Sequence, residues 1–389
     1  MKRNLYLLIS FLSVTSLLAG LPCSTGLPQL STAEDKDLDE TTKLLDTINS
    51  VGPKGEGHQA AAAAWRELSK SSVEQLPAIL VGIDKSNALS INWLRAAVDS
   101  IAQSKYDKED FPAAELEEFV LDTNHAPRGR RLAFEILADF DETAKERLTS
   151  KFLNDPSLEL RRDAVAQLSS QADKLRDSSD QKNATEAYRR ALTHARDIDQ
   201  IDHAADQLRK LKAEVDLPSH FGFVQNWHLI GPFDNVDKGG FDVAYPPEST
   251  IELEAQHEGV GEKPVAWKKH SSEDDYGLVD LNKAMGKHKG AIAYAVAEFN
   301  AAEARDIELR LGCINANKVW LNGQRLFANN VYHANTYIDQ YVGKGRLKAG
   351  KNVILIKIAQ NEQEDSWAQR WQFQLRVCDQ FGTAVLAKE

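Results

Sequence analysis

Up to about residue 215 the apolar residues of this chain recur at i, i+3 and i+4, and from about residue 223 they alternate in short runs broken by Gly, Asn and Pro. The period of the apolar residues decides which kind of element can bury them. A single change of period in 389 residues therefore predicts an all-α part followed by an all-β part. The expected division is a helical domain over 32–215, a linker over 216–222 (within DLPSHFGF) and an antiparallel β-sandwich over 223–389.

Composition agrees with two folded modules. With 42% hydrophobic and 27% charged residues the chain can build ample core, and 12 Pro and 22 Gly leave no long disordered tract. The formal charge of −11, with no run of Lys and Arg interleaved with aromatics, excludes a nucleic-acid partner.

Lys2 and Arg3 precede an uncharged stretch, Leu5 to Ala19, that has the length of a signal-peptide core and is short for a bilayer span. The expectation is a signal peptide over 1–26 and an exported protein, periplasmic, cell-surface or extracellular. Ser24 and Gly26 supply small residues for cleavage after Gly26, with Ala19 and Gly20 as alternative sites. Membrane attachment requires an uncleaved signal or lipidation of Cys23, and Pro22 stands before Cys23 where lipoprotein signals resemble one another in having Gly, Ala or Ser. Three cysteines are too few for a disulfide scaffold. Cys313 continues the inward phase of Ile307, Leu309 and Leu311, whereas Cys378 falls in phase with Gln374 and Arg376, so the two thiols should face apart.

The helical part repeats. Superposing NWLRAAVDSI (from Asn92), GRRLAFEIL (from Gly129) and LRRDAVAQL (from Leu160) aligns Arg95, Arg131 and Arg162, then Ala97, Ala133 and Ala164, then Ile101, Leu137 and Leu168. A degenerate earlier copy aligns Ala64 and Leu68. A small residue followed four positions later by an aliphatic suits the seam of a two-helix solenoid unit. The arginine column reads as intra-repeat ion pairs or carbonyl caps. These segments resemble the second helices of HEAT repeats, above all DPSLELRRDAVAQL from Asp155. That resemblance implies a solenoid with a protein partner on its concave face. ATEAYRRALTHAR and IDHAADQLRKLKAEV would cap it.

In the β part, Asn322-Gly323 within KVWLNGQRLF supplies the two positive-φ residues of a type I′ hairpin, and KAGKN at 348–352 makes a second turn. The order of AYAVAEF, IELRLG, VWLNGQRLF, LKAGKNVILIKI and WQFQLRV resembles the jelly-roll sandwich of galactose-binding-like modules and of sugar-binding domains attached to glycoside hydrolases. The resemblance implies carbohydrate as ligand, though members of that group also serve only as packing modules.

Catalytic patterns do not emerge. Ten His residues stand without metal spacing, and HExxH, CxxC, GxSxG, P-loop and GxGxxG motifs are all missing. No cofactor is expected; the acidic set Glu362, Glu364 and Asp365 could supply hard oxygens to a structural Ca²⁺, half of a glycosidase pair, or simply a solvated loop. Counting strand reversals from Ile307 puts both turns at one end of the sandwich and three loops, 312–318, 328–336 and 360–368, at the other. Those loops carry Asn315, Asn317, His333, Asn335, Glu364, Asp365 and Trp367, with Tyr337 at the rim. Amides and carboxylates beside an aromatic face are what a sugar site needs; the competing reading makes the asparagines turn formers and Trp367 part of the core. The expected function is a non-catalytic binding or scaffolding protein, with an accessory or weakly active component of a carbohydrate-active hydrolase and a structural envelope protein as alternatives.

Overall fold

A computed structural model describes residues 33–104 and 107–388, so the expected signal peptide 1–26 and Cys23 lie outside the described residues. The chain has a helical N-terminal region and antiparallel β-sheets in its C-terminal region. It divides between Phe111 and Pro112 into two compact units. The stretch 216–222, expected as the linker, lies inside the second of these. No helix among the described residues is long and apolar enough to cross a membrane.

The first unit holds α1 (Ala33–Asn49), α2 (His58–Leu68), α3 (Leu76–Val81) and α4 (Ser90–Ala102). Asn87 starts α4, because its Oδ1 accepts from the N–H groups of Leu89 and Ser90 while its Nδ2 donates to the Val51 carbonyl at 2.8 Å. Ala64, Leu68, Ala97 and Ile101, the aligned small and aliphatic positions, are all buried here.

The second unit begins with α5 (Ala113–Leu121), α6 (Pro127–Phe140), α7 (Glu142–Thr149), α8 (Leu158–Asp177), α9 (Gln181–His194) and α10 (Ile198–Lys210). Pro127 opens α6 where its missing N–H costs nothing, Asp141 caps α7 through the Thr143 N–H, and Ser157 caps α8 through the Leu160 N–H. Ala133 and Ala164 are buried with Leu137 and Leu168, in the phase the alignment requires. Ala133→Leu should therefore destabilise by about 1–3 kcal/mol through overpacking, while Glu135→Leu stays mild. Thermal melts of both variants check this, and equal melting for Ala133→Leu and wild type would put the aligned phase wrong.

The arginine doublets divide their labour. Arg95 pairs with Asp99 and Arg131 with Glu135 in their own helices, while Arg131 also pairs with Asp163 in α8 and Arg162 bidentately with Asp199 at 2.8 and 2.6 Å, so the aligned column makes ties both within helices and between them. The first arginine of each doublet, one residue or about 100° earlier, is buried instead.

Residues 217–221 form α11 (Leu217–Phe221), capped by Asp216 and stopped by Gly222 at φ +76°. A Cβ on Gly222 would lie 2.5 Å from the Val377 carbonyl oxygen, so the residue allows both the left-handed stop and the close approach. Leu217, Phe221 and Phe223 join Val165, Leu168, Ala191, Ala195 and Ile201 in one apolar cluster, with Tyr276 and Ile338 packed against it.

Among the described residues twelve strands follow: β1 (Asn226–Asp234), β2 (Gln256–Glu258), β3 (Pro264–Ala266), β4 (Lys268–Ser271), β5 (Val279–Asp280), β6 (Ala291–Ala301), β7 (Arg305–Cys313), β8 (Ala316–Leu321), β9 (Gln324–Asn329), β10 (Tyr341–Leu347), β11 (Gly350–Gln360) and β12 (Gln372–Cys378). They form a six-stranded sheet in the order β4-β1-β6-β11-β8-β9, a four-stranded sheet β10-β7-β12-β5 and the pair β2-β3. One apolar cluster takes side chains from both larger sheets, including Trp227, Ala295, Ile356 and Val319 from the first and Leu309, Leu311, Phe373 and Leu375 from the second. Trp227 is buried there, its ring edge-on to Phe373 at 5.2 Å. The reverse face of the six-stranded sheet is also covered, with Ile230, Tyr294, Trp320 and Leu355 under Phe241, Val265 and Trp267. Burial on both faces explains why AIAYAVA reads as an unbroken apolar run instead of alternating.

The polar row of β12, Cys378 included, lies under cover. Gln374, Arg376 and Cys378 share one phase as expected, but all three are buried. Arg376 grips Asp339 through Nε at 2.6 Å and Nη2 at 2.5 Å, and Asp339 also receives Arg310, so the row is covered as an ionic layer. Cys313 lies in the shared cluster and Cys378 on the other side; both are free, and burial pushes their thiols up to about 12 and about 11.

The turn end is stitched by amides. Asn322 and Gly323 adopt φ 51° and 81°, Asn322 Nδ2 donates to Asn352 Oδ1 at 2.8 Å, and Asn352 Nδ2 donates to the carbonyls of Lys348 and Gly350 at 2.8 and 2.9 Å. Both turns of the sequence reading thus lie together.

Candidate functional site

At the opposite end the connections β7–β8, β9–β10 and β11–β12 meet, joined by the segments that follow β1 and precede β6. The backbone N–H of Asn235 donates to the Gly290 carbonyl at 2.8 Å, that of Gly290 to the Asn361 carbonyl at 3.1 Å, and Asn235 Nδ2 donates to Tyr332 Oη at 3.1 Å. Five segments therefore build this face.

Trp367 stands 57% exposed on it, as a core residue would not. It occupies a short 3₁₀ turn, Ser366–Ala368, in the β11–β12 loop. The loop is held from below: Lys289 Nζ donates to the carbonyls of Gln363 and Ala368 at 2.6 and 3.0 Å, and Gln369 Nε2 donates to those of Glu364 and Asp365 at 2.6 and 3.0 Å. Burial holds the Lys289 ammonium below its usual pKa. The His333 ring meets the indole edge-to-face at 5.1 Å, and its Nε2 lies 2.7 Å from Asn361 Oδ1. Because Asn361 Oδ1 also accepts from the Gln363 N–H, it is the amide oxygen, and His333 Nε2 is the protonated nitrogen. His333 adopts φ +57°, a conformation unusual for a non-glycine residue and concentrated at sites where surroundings over-determine the backbone.

Asp365 and Glu364 are exposed beside Trp367, with Asp365 Oδ2 accepting from Gln363 Nε2 at 3.0 Å. Asn335 and Tyr337 are exposed on the β9–β10 loop, Tyr337 by 62%. Asn315 and Asn317 are placed differently: both are fully buried. Asn315 Nδ2 donates to Gln360 Oε1 at 2.7 Å and its Oδ1 accepts from the Gln372 N–H. Asn317 Nδ2 donates to the Asn315 carbonyl at 3.0 Å and its Oδ1 accepts from Asn329 Nδ2 at 3.0 Å. They form an amide floor beneath the loops rather than part of the open face.

Tyr332, Lys238 and Asn361, not singled out from the sequence, are also neighbours of the site, as is Glu362 of the acidic set. Lys238 Nζ lies 5.2 Å from the Tyr332 ring centroid, and Glu362 Oε1 accepts from the Asp237 N–H at 2.5 Å. Asp237 and Lys238 both take left-handed φ values, 55° and 60°. The lone signal for Tyr332 and Asn361 was their position beside His333 and within the acidic loop. Among the described residues, no group of three or more His, Cys, Asp and Glu is placed to hold a metal ion.

No family model and no curated protein matches the chain. Among solved structures it is similar to a beta-glucosidase from Kluyveromyces marxianus in complex with glucose, at 14% identity and TM-score 0.25, over 39% of this chain and 16% of that one. It is similar to a family 35 carbohydrate binding module from an environmental isolate, at 20% identity and TM-score 0.18, over 28% of this chain and 88% of that one. A GH31 alpha-xylosidase from Xanthomonas citri shares 12% identity at TM-score 0.19, over 30% of this chain and 15% of that one. The chain thus spans about a sixth of the length of the beta-glucosidase.

Proposed function

We propose that this protein is an exported, non-catalytic carbohydrate-binding protein whose sugar site is the loop end of the sheets. In this reading the β-rich part from residue 223 is a jelly-roll sandwich of the galactose-binding-like kind, and the repeated helices before residue 215 are of HEAT type and hold a protein partner. The observation that carries the site is the exposed Trp367, steadied by His333 and flanked by exposed Asp365 and Glu364. A rigid indole offers a stacking face at little cost in side-chain entropy, and carboxylates at its margin accept from hydroxyls of a stacked ring. Asn335 and Tyr337 extend the rim, while Asn315 and Asn317 act from beneath by fixing the β7–β8 and β11–β12 connections.

The test is a panel of neutral and acidic oligosaccharides titrated calorimetrically against wild type, Trp367→Ala and Asp365→Ala. Trp367→Ala should lose at least about tenfold in affinity for any bound glycan, since stacking and apolar contact of this size are worth more than about 1.4 kcal/mol. Its melting temperature should hardly move, because the indole is mostly in water. Undiminished binding in both variants would remove the site from this face.

A further inference from the structure

The reverse face of the six-stranded sheet carries a cavity of about 320 Å³ at the turn end. Its floor is Trp320 on β8 with Val353 and Leu355 on β11, and Leu355 stands opposite Trp320 in the register of the two strands. The facing wall is a short helix, α12 (Pro246–Ser249), with Ile251 just after it. Pockets for small molecules run from about 300 to about 1,000 Å³, so this one suits a single small molecule.

Two of the lining side chains are nearly enclosed, and each keeps one polar atom unused. Glu248 is 14% exposed; its Oε1 accepts from Lys357 Nζ at 2.9 Å and from Tyr294 Oη at 2.5 Å, whereas its Oε2 accepts from no group among the described residues. Trp320 is 8% exposed, and its Nε1 donates to no group among the described residues. The indole nitrogens of Trp267 and Trp371 also lack acceptors but are sealed from solvent; Trp320 Nε1 and Glu248 Oε2 are not sealed. A fixed acceptor and a fixed donor thus belong to the walls of one cavity. Lys357, itself fully buried, balances the charge of Glu248, and the other charged residue of the lining is the exposed Lys348. An anion would meet the carboxylate and a cation would meet the lysine. The cavity therefore favours a neutral guest whose groups both donate and accept, as hydroxyls do.

We propose that this cavity binds one neutral sugar unit, with one hydroxyl donating to Glu248 Oε2, another accepting from Trp320 Nε1, and the carbon skeleton against Val353 and Leu355. Asn322 and Gly323 border the cavity, so the site lies at the end of the sheets opposite Trp367 and does not depend on sugar binding there. The shared chemistry has two sources, a free monosaccharide or the terminal unit of a longer glycan.

The experiment titrates the isotope-labelled full chain with glucose, galactose, xylose and N-acetylglucosamine, with their methyl glycosides and with ethanolammonium. The readout is the indole N–H resonance of Trp320, identified by its loss in Trp320→Phe. A saturable shift with at least one sugar is expected, weakened at least about tenfold in Val353→Phe, which puts a ring into the cavity from a half-buried strand position. Ile251→Trp fills the same space from the facing wall and decides the matter if Val353→Phe does not fold. Binding of the methyl glycosides as well assigns the terminal unit of a glycan, and binding of the unblocked sugars alone assigns a free monosaccharide. Trp367→Ala should leave the shift unchanged, which tells failure of the Trp367 site from failure of the cavity. No saturable shift with any sugar, an undiminished shift in the filled variant, a shift lost in Trp367→Ala, or one produced as readily by ethanolammonium would each overturn the proposal.

Discussion

Arg130→Ala is expected to cost about 3–5 kcal/mol of unfolding free energy, the usual consequence of removing one member of a buried ion pair and leaving the other charged. The side chain is wholly enclosed, and the Asp155 carboxylate opposite is 5% exposed, so water cannot replace the guanidinium. Three further bonds depend on the pair. Asp155 Oδ1 accepts from the Ser157 N–H at 2.8 Å and thereby sets the cap of α8, the Asp155 carbonyl holds Arg161, and Arg130 Nε closes the end of α5 at Val120. Chemical denaturation should show a lower midpoint at unchanged slope. Arg130→Met with Asp155→Leu should recover much of the loss, because an apolar pair of similar size carries no desolvation penalty. A single variant within about 1 kcal/mol of wild type would mean that the pair is solvated in solution.

Lys357→Ala should be comparably severe and should also reach the candidate site. Lys357 interrupts the apolar run VILIKIA on β11 and is fully buried; its Nζ donates to the carbonyls of Phe241 and Val243 at 2.9 and 2.7 Å and to Glu248 Oε1 at 2.9 Å. Tyr294 Oη donates to the same Glu248 oxygen at 2.5 Å. Burial holds the ammonium below the usual lysine pKa, with Glu248 opposing that shift. Without the lysine, two carbonyls and a mostly buried carboxylate lose their donor, at a cost of about 3–5 kcal/mol. Those carbonyls belong to the segment that carries Asp237 and Lys238 to the rim of the loop face, so faster amide exchange over 236–249 should accompany the lower melting temperature. Unchanged exchange there would separate the lysine from the segment.

These two residues also show where sequence reasoning ran out. The period change, the Asn322-Gly323 hairpin, the burial of the aligned alanines and the parity of strand reversals follow from local patterns, and each is present in the structure where the sequence puts it. Parity alone brought the loops bearing His333, Asp365 and Trp367 to one end. Which arginine of a doublet turns inward was not legible, because the helix alignment followed Arg131 and Arg162 while the buried partner positions were Arg130 and Arg161. Asn315 and Asn317 look in sequence like turn formers and in space form a buried floor, since only non-local partners such as Gln360 and Asn329 distinguish the two. The contributions of Asn235, Lys238 and Gly290 depend on β1 and β6 pairing inside the sheet, a non-local fact that no local spacing encodes.

The amide clasp at the turn end has a bearing on how this scaffold could diversify. Asn322 and Asn352 lock the two reversals to each other and so fix the strand register from that side alone. Segments 330–340 and 361–371 are then relieved of setting register, although the buried floor ties the base of the second. Insertions and exchanges at their exposed tips can be absorbed without shifting a single strand, so divergent copies of this chain should vary most in those two tips and least around the paired asparagines.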